Sequence, residues 1–397
     1  MRRTVLLLAV CQAMAMTGGT LLIATSALVG YRLSPDQRLA TLPLGLQMLA
    51  NMLTTVPASL LMQRIGRRKG FVFGSAIGIA GAALATWAIV RSNFVLFAAA
   101  AALSGSFAAF ANYYRFAAAD VATHDYRARA ISWVLTGGVV AAVIGPNLAR
   151  WTSGWLATPF AGSYLALTAI MILSFFTVMF LDIPHSAAEA RGGGRPLRAI
   201  IAQPACTVAL ISGMFGYGLM SLVMSATPLA MQAHHYPFSD TAFVIQWHVL
   251  GMFTPSFFTG NLIRRLGVLR VMLTGVVLIM SCVLTNLAGT SLVHYSIALA
   301  LLGVGWNFLF IGSTTLLTEA YAPEEKAKTQ ALNDFVVFTT VTIAVLTSGS
   351  LQHWLGWRAV NMGVLPLTLI PLVAILWLMR ARRVVAEPAL AGSARGN

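Results

Sequence analysis

The chain has 397 residues, of which 58% are hydrophobic and only 9% are charged, and its mean hydropathy is +0.79. This composition excludes an ordinary soluble domain and is typical of a protein that crosses the membrane many times. The formal net charge is +15, but the arginines and lysines concentrate at the chain ends and in alternate loops. Such a bias records membrane topology, so no nucleic-acid partner is expected.

Twelve apolar segments follow one another along the chain, each near the ~20 residues that a membrane-spanning helix needs. The first is too long for the core of a cleaved signal peptide, so we expect an uncleaved first helix. The segments cover approximately residues 4–29, 39–62, 71–90, 94–119, 130–149, 163–181, 205–231, 242–263, 271–289, 295–318, 331–351 and 359–379. The sequence therefore predicts an all-α polytopic membrane protein whose main partner is the lipid bilayer.

One long polar loop, residues 183–204, divides these segments into two sets of six. We therefore expect an N-terminal six-helix bundle at 1–182, a cytoplasmic linker at 183–204 and a C-terminal bundle at 205–383. The Ala/Gly-rich tail at 384–397 is predicted to be disordered. The distribution of basic residues predicts that both termini are cytoplasmic.

The two halves carry similar basic loops. Residues 63–69 after the second segment match residues 264–270 after the eighth, and Asp120 and Glu319 precede basic residues at a similar offset. Two six-helix halves with repeated loops predict a transporter built from structural repeats. No nucleotide-binding loop is present in the sequence, so an ATP-driven pump is not expected.

The loop from Ser59 to Arg68 resembles the signature between helices 2 and 3 of the major facilitator superfamily. Ser59 stands where that family usually has glycine, and Gln63 stands where it has aspartate. The resemblance covers nearly the whole chain and implies the major facilitator fold, with two pseudo-symmetric six-helix bundles and alternating access. Because the usual acid at position 63 is missing, we expect Asp120 and Asp334 to partner the loop arginines. The expected cytoplasmic gate consists of Arg64, Arg67, Arg68, Asp120, Asp334, Arg264, Arg265 and Glu319.

Two pairs of soft-metal ligands lie on the seventh and eighth segments. Met220 and Met224 are four residues apart, as are His248 and Met252, so each pair shares one helix face. The helical rise places Met224 level with His248 at a depth of roughly 10 Å, and Met220 level with Met252 at roughly 16 Å. Thioethers and a neutral imidazole suit Cu(I). With 17 methionines in the chain, packing methionines beside a solute-binding histidine stay an open alternative.

Within the superfamily, these two spacings resemble those of the CcoA-type copper importers, which have riboflavin transporters as a related group. The resemblance implies a non-enzymatic secondary-active importer of copper in the bacterial inner membrane, which supplies copper for cytochrome oxidase assembly. Copper would then be the transported substrate and not a bound cofactor, and a copper chaperone would receive it; we expect a monomer. Candidates for admitting or relaying the metal are Met231, His234, His235, Met48, Met52, Cys11 and Cys206.

A second set of residues favours an organic solute. Arg115, Tyr113, Tyr114, Trp306 and Asn307 lie inside apolar segments and are candidates for the wall of a polar cavity. Their rings and charge suit riboflavin or another aromatic or anionic compound, which is the alternative substrate class. Arg115 also suits a structural role beside Asp120 or Asp334 at the gate. The third hypothesis is a non-transporting metal sensor or assembly factor.

Overall fold

The computed structural model describes residues 2–123, 130, 133–134, 136–183 and 194–393 of the chain. Residues 184–193 of the predicted linker and residues 394–397 of the predicted tail therefore lie outside the described residues. The described residues form α-helices joined by short loops and by two 3-10 turns, at Gln37–Leu39 and Pro323–Glu325, and they contain no strand. The all-α prediction is confirmed.

The first half of the chain begins with a long helix and continues through shorter helices. These are α1 (Arg2–Leu33), α2 (Leu42–Ile65), α3 (Arg67–Val90), α4 (Phe94–Ala111), α5 (Tyr114–Val121), α6 (Gly137–Thr152) and α7 (Ala161–Met179). The turn before α4 has a side-chain cap, in which the Asn93 side chain accepts a hydrogen bond from the Leu96 backbone N–H at 3.0 Å.

The second half follows the same pattern after the short helix α8 (Leu197–Ile201). Its longer helices are α9 (Pro204–Ala233), α10 (Phe238–Phe253), α11 (Ser256–Leu266), α12 (Val268–Ala288), α13 (Leu292–Thr318) and α14 (Lys326–Ser393). Proline occupies the first position of α9, where its missing N–H has no intrahelical partner to lose.

The twelve expected membrane spans can be followed along these helices. Within the described residues, nine helical segments are long and apolar enough to cross a membrane. One of them, in α14, is long enough to cross twice, and Gly356 (φ 74°, ψ 172°) breaks its helical geometry. The two remaining expected spans correspond to α6 and to the pair α10 and α11, which are separated at Thr254 and Pro255.

The internal repeat is visible in the backbone. Gly66 joins α2 to α3 with φ 88° and ψ 151°, and Gly267 joins α11 to α12 with φ 86° and ψ 148°. Both glycines adopt a conformation that other residues rarely reach, and they lie 201 residues apart in the sequence. The matched basic loops therefore fold alike.

Buried apolar side chains form one large core in each half. In the first half α1 packs against α6 and α3 against α4 and α7; in the second, α9 packs against α13 and α14, and α12 against α13. Between the halves, α2 packs against α14 and α6 against α10. A smaller third core, formed by Leu44 of α2 with Val337, Val341 and Val345 of α14, joins the halves.

The last helix continues to Ser393, and it includes most of the segment 384–397 for which the sequence predicts disorder. Alanine is the strongest helix former, and the segment is rich in alanine. A helical continuation of the last span is consistent with that composition.

Candidate solute-binding site

The two ends of the bundle differ in charge and in the contacts between the halves. We call the end that carries the loops at Gly66 and Gly267 the basic end, because arginines surround both turns. The other end, at the turn Gln37–Leu39, is called the opposite end.

The halves are held together at the opposite end. The Gly349 N–H donates a hydrogen bond to the Thr41 hydroxyl at 3.1 Å, and the Ser350 hydroxyl donates to the Arg38 carbonyl at 3.1 Å. The Arg38 guanidinium also lies over the Trp354 ring at 4.9 Å. These contacts join α14 to the start of α2 and close this end.

Contacts between α6 and α10 close the opposite end on its other side. Asn147 donates a hydrogen bond to the Gln246 side chain at 2.5 Å. Phe160 meets Phe238 edge to face, with ring centroids 4.8 Å apart. The contacts that join the halves at this end are therefore neutral hydrogen bonds, ring contacts and one cation–π contact.

At the basic end, two ion pairs that involve predicted gate residues each lie within one half. Arg67 contacts Asp120 at 2.6 Å in the first half, and Arg382 contacts Glu319 at 2.6 Å in the second. Arg68 donates a hydrogen bond to the Met179 carbonyl at 2.5 Å. These pairs tie loops to helices of the same half and do not bridge the halves.

The remaining gate candidates are solvent-exposed: Arg64, Arg264, Arg265 and Asp334. Arg264 donates a hydrogen bond to Asn261, which lies on its own helix. Asp334 accepts one from Asn333 at 3.2 Å. It also interacts electrostatically with Arg115 of the other half.

Part of the predicted linker is attached to the second half. Arg195 donates three hydrogen bonds to the Glu325 carboxylate, from its backbone N–H at 2.7 Å, from Nε at 2.8 Å and from Nη2 at 2.7 Å. These bonds, with another from the Ala322 backbone N–H, hold the pKa of Glu325 well below its usual range, and they raise the pKa of Arg195. The carboxylate is therefore ionised at neutral pH.

Four aromatic side chains form a cluster where α9, α13 and α14 face the first half. We call Tyr217, Trp306, Phe310 and Phe338 the aromatic cluster. Trp306 stacks on Phe310 with centroids 4.9 Å apart and ring planes 10° apart, and Tyr217 meets the Trp306 ring at 5.1 Å. Tyr217 also contacts Phe310 at 5.4 Å and Phe338 at 6.0 Å. These are the stacked and edge-to-face geometries that aromatic pairs prefer.

The aromatic cluster has one unsatisfied polar group. Trp306 is buried, and its indole Nε1 has no hydrogen-bond partner. A buried N–H without a partner is costly and needs an explanation. Tyr217, on the side toward the first half, packs against the third core together with Met48 of α2. The cluster therefore borders the interface between the halves.

In the first half, several polar side chains lie on α2 and just after the end of α4. Asn112 donates a hydrogen bond to the Asn51 side chain at 3.2 Å, and the Tyr113 hydroxyl donates to the Thr55 carbonyl at 3.0 Å. These four side chains are half-buried. Arg115, nearer the basic end, is exposed and lies over the Phe116 ring at 4.8 Å.

Two residues that were predicted to line the cavity make packing or hydrogen-bond contacts within their own halves. Tyr114 is fully buried in the core of the first half, with its ring 4.7 Å from that of Phe71. Asn307 donates to the Met252 carbonyl at 2.6 Å and to Ser256 at 2.7 Å, and it accepts from Thr259 at 2.7 Å. Asn307 thus holds the break between α10 and α11.

The four predicted metal ligands all lie in the core of the second half. Met220, Met224, His248 and Met252 are buried there. The imidazole points toward α13, where Nδ1 lies 2.8 Å from the Leu299 carbonyl. A carbonyl only accepts hydrogen bonds, so Nδ1 carries the proton, and Nε2 is left with no partner.

α10 packs mainly against helices other than α9, the helix that carries Met220 and Met224. It packs principally against α13 and against α6 of the first half. Gly251 and Gly303 allow the close approach to α13, because an added Cβ at Gly303 would lie 2.3 Å from the His248 carbonyl oxygen.

The candidates for admitting or relaying the metal are spread through the molecule. The structure places Met231, Cys11 and Cys206 in separate buried positions and Met48 and Met52 in half-buried positions on α2, and it leaves His234 and His235 exposed. His234 lies 2.9 Å from the Tyr295 hydroxyl, and Met52 accepts a hydrogen bond from Thr339 at 3.5 Å. They do not form one continuous path.

The sequence analysis did not select most of the residues that border the interface between the two halves. Tyr217, Phe310 and Phe338 were not selected, although Phe310 lies four residues after Trp306 and so on the same helix face. Asn51 and Asn112 were also missed. Asn51 and Asn112 could have been selected because each is a polar amide inside an apolar segment.

Comparison with known proteins agrees with this architecture. The family model described as Major Facilitator Superfamily matches residues 8–254 and 209–395. The chain is 38% identical over 390 residues to the riboflavin transporter RfnT of Brucella anthropi, which covers 97% of this chain and 98% of that protein. It is 28% identical over 393 residues to the uncharacterized MFS-type transporter YdeG of Bacillus subtilis, covering 94% and 91% of the two chains. The fold is also that of an auto-inhibited POT family peptide transporter, with a TM-score of 0.67 over 96% and 97% of the chains at 14% identity.

Proposed function

The chain belongs to the major facilitator superfamily, and from this premise we propose that it carries a flat aromatic solute of the riboflavin class across the membrane by alternating access. This substrate class is the alternative that the sequence left open beside copper. It is favoured by the likeness to a riboflavin transporter over nearly the full length of both chains.

The observation that carries the proposal is the aromatic cluster with its unpartnered indole N–H. Flat rings bind one another in offset-stacked and edge-to-face geometries, both of which Trp306 already makes with its neighbours. A flavin ring presents a large flat surface with acceptor atoms at its rim. One of those atoms would satisfy the Trp306 N–H that the protein leaves without a partner.

The contacts between the halves support a conformation closed at the opposite end. If the basic end faces the cytoplasm, as the charge distribution predicts, this conformation is the one that releases solute into the cell. Import would then follow when the opposite end opens. The solute shifts this equilibrium only through its different affinity for the two conformations.

Uptake of radiolabelled riboflavin by a riboflavin-auxotrophic bacterium that expresses the chain tests the proposal. We expect uptake above that of cells with an empty vector, and its loss in Tyr217→Leu. The matched control is Tyr236→Leu, because Tyr236 is also a half-buried tyrosine of the second half but lies outside the aromatic cluster. Normal membrane levels of protein without any riboflavin uptake would exclude this function.

Copper import is the second candidate function, and one specific observation favours it. His248 offers an unpartnered Nε2 in the same core as three methionines, and its Nδ1–H is held by a backbone carbonyl, as in many metal-binding histidines. Radioactive copper uptake by cells expressing His248→Leu or Met224→Leu tests it. Met272→Leu is the control, because Met272 is equally buried but lies outside the two pairs. Uptake that stays equal in all variants would exclude import through this site.

A further inference from the structure

We propose that the first half binds the hydroxylated side chain of the solute along a polar track, while the second half holds its flat ring. The polar track is defined as Gln47, Asn51, Thr54 and Thr55 of α2 with Ser106, Asn112 and Tyr113 of α4 and its C-terminal turn. The inference rests on the proposed function and names the second part of its substrate: a neutral chain that bears several hydroxyl groups.

The track follows one face of α2. Gln47, Asn51 and Thr54 are spaced four and three residues apart, so their side chains project toward α4. Thr54 donates a hydrogen bond to Ser106 at 3.2 Å, and Asn112 donates to Asn51 at 3.2 Å. Polar groups thus recur over two helical turns, about 12 Å from the first to the last. A single ring substituent needs one such position, whereas a chain of hydroxyl groups needs several.

The central pair of the track has unused hydrogen-bonding capacity. The Asn51 side chain accepts one bond through Oδ1, and the Asn112 side chain donates one through Nδ2. Among the residues that the structure describes, no partner is found for the Asn51 amide nitrogen or the Asn112 amide oxygen. Both side chains are half-buried. A donor beside an acceptor is the complement of a hydroxyl group, which also carries both functions.

At the inner end of the track, Gln47 and Ser104 are the polar side chains of a small cavity that is otherwise lined by apolar residues. Gln47 is 6% exposed, and its Oε1 has no hydrogen-bond partner. It lines a cavity of about 30 Å³ together with Gly19 and Ser104. A Cβ added at Gly19 would meet nothing within 4 Å. This volume holds one or two waters or the terminal hydroxymethyl group of a chain.

The track and the aromatic cluster both adjoin the third core, which joins the two halves. Met48 of α2 and Tyr217 of the aromatic cluster both pack against the third core. Asn51 follows Met48 by three residues, about 4.5 Å along the helix axis. A ring on Tyr217 and a chain along α2 would therefore belong to one ligand that spans both halves.

The surrounding charges favour a neutral ligand. Arg115 lies near the basic end of the track, but Asp334 of the other half interacts with it electrostatically. The remaining groups of the track are amides and hydroxyls. Its net charge therefore provides little attraction for an anionic chain.

Binding of riboflavin and lumiflavin to the purified full-length chain, followed by quenching of flavin fluorescence, tests the inference. The two compounds share the flat ring, and only riboflavin has the hydroxylated chain. In Asn51→Leu and Asn112→Leu we expect the Kd for riboflavin to rise about tenfold, because each variant removes hydrogen bonds to the chain. The Kd for lumiflavin should change less than about twofold, which also reports that the variant is folded.

Thr86→Val is the matched control, because the half-buried Thr86 hydroxyl bonds only within its own helix, to the Ala82 carbonyl. It should leave both Kd values unchanged. If Asn51→Leu and Asn112→Leu weaken both flavins equally, or neither, the polar track is not a chain-binding site, although flavin binding itself stands. If the unsubstituted protein binds neither flavin, the proposed function fails and the inference fails with it.

Discussion

Replacing Trp306 with phenylalanine separates ring stacking from hydrogen bonding within the aromatic cluster. Phenylalanine keeps a ring over Phe310, whose centroid lies 4.9 Å from that of Trp306, but it lacks the indole N–H that has no partner in the protein. A hydrogen bond contributes a net free energy of about 0.5–1.5 kcal/mol. At about 1.4 kcal/mol for each tenfold change, Trp306→Phe should raise the Kd for riboflavin about 2- to 12-fold.

The same substitution should have a different effect on the free protein. An unsatisfied buried donor costs about 1–3 kcal/mol, and the variant no longer carries that donor. The smaller ring loses part of its packing, so the two effects oppose each other. We therefore expect the Tm of the solute-free Trp306→Phe protein to change little while its affinity for riboflavin falls.

Trp357 provides a matched control. It is also buried, its indole N–H is also without a partner, and its ring lies 5.5 Å from that of Tyr295, outside the aromatic cluster. Fluorescence titration of both variants with riboflavin measures the difference. Equal weakening in Trp357→Phe, or no weakening in Trp306→Phe, would refute the assignment of the Trp306 N–H as a ligand group.

Three further predictions concern the closed end, the repeated turns and the linker. Gly349→Ala should speed alkylation of Ser350→Cys by a membrane-impermeant maleimide. The added Cβ would lie 2.7 Å from the hydroxyl of Thr41, at the start of α2, and would force the opposite end apart. An unchanged alkylation rate would show that this contact does not close the end. Gly267→Ala should lower the free energy of unfolding by about 1–3 kcal/mol, whereas the control Gly363→Ala should not. An added Cβ meets nothing within 4 Å at either site, but only Gly267 has a positive φ, of 86°. Equal Tm values for the two variants would contradict the backbone argument. Glu325→Gln should lower the Tm at pH 7. Because the pKa of Glu325 is lowered from its ordinary value of 4.5, the ionised carboxylate stabilises the fold above pH 4.5, and this contribution is lost as the pH falls through the folded-state pKa. The Tm difference from the unsubstituted protein should therefore shrink in acid, and a constant difference would argue against the ion pair as its cause.

The helices and the repeat could be predicted from the sequence, because bilayer thickness fixes the length of each apolar segment and charge marks the loops. The glycines at 66 and 267 were visible as a matched pair, and the structure gives both the same backbone conformation. The prediction of copper as the substrate is not supported by the comparisons, in which the relative RfnT is named a riboflavin transporter.

The site was less predictable, for two physical reasons. Helical spacing gives the depth of a side chain but not the direction of its helix face, so the partner of His248 proved to be the Leu299 carbonyl of α13. The sequence also does not reveal which polar groups are satisfied by neighbours. Asn307 and Trp306 are adjacent in the chain, yet the amide makes three hydrogen bonds and the indole N–H makes none.

The distribution of contacts differs between the two ends of the bundle, and this difference bears on how the halves could move relative to each other. At the basic end, the Arg67–Asp120 and Arg382–Glu319 ion pairs stay within one half, at 2.6 Å each, so they stiffen a half without resisting its rotation. At the opposite end, the halves meet through individually weak neutral contacts such as the 3.1 Å bond from Gly349 to the Thr41 hydroxyl. Each such bond contributes about 0.5–1.5 kcal/mol. A ligand that contacts an aromatic surface on one half and a polar surface on the other would have a different affinity for each arrangement of the halves, and that difference is what shifts the equilibrium.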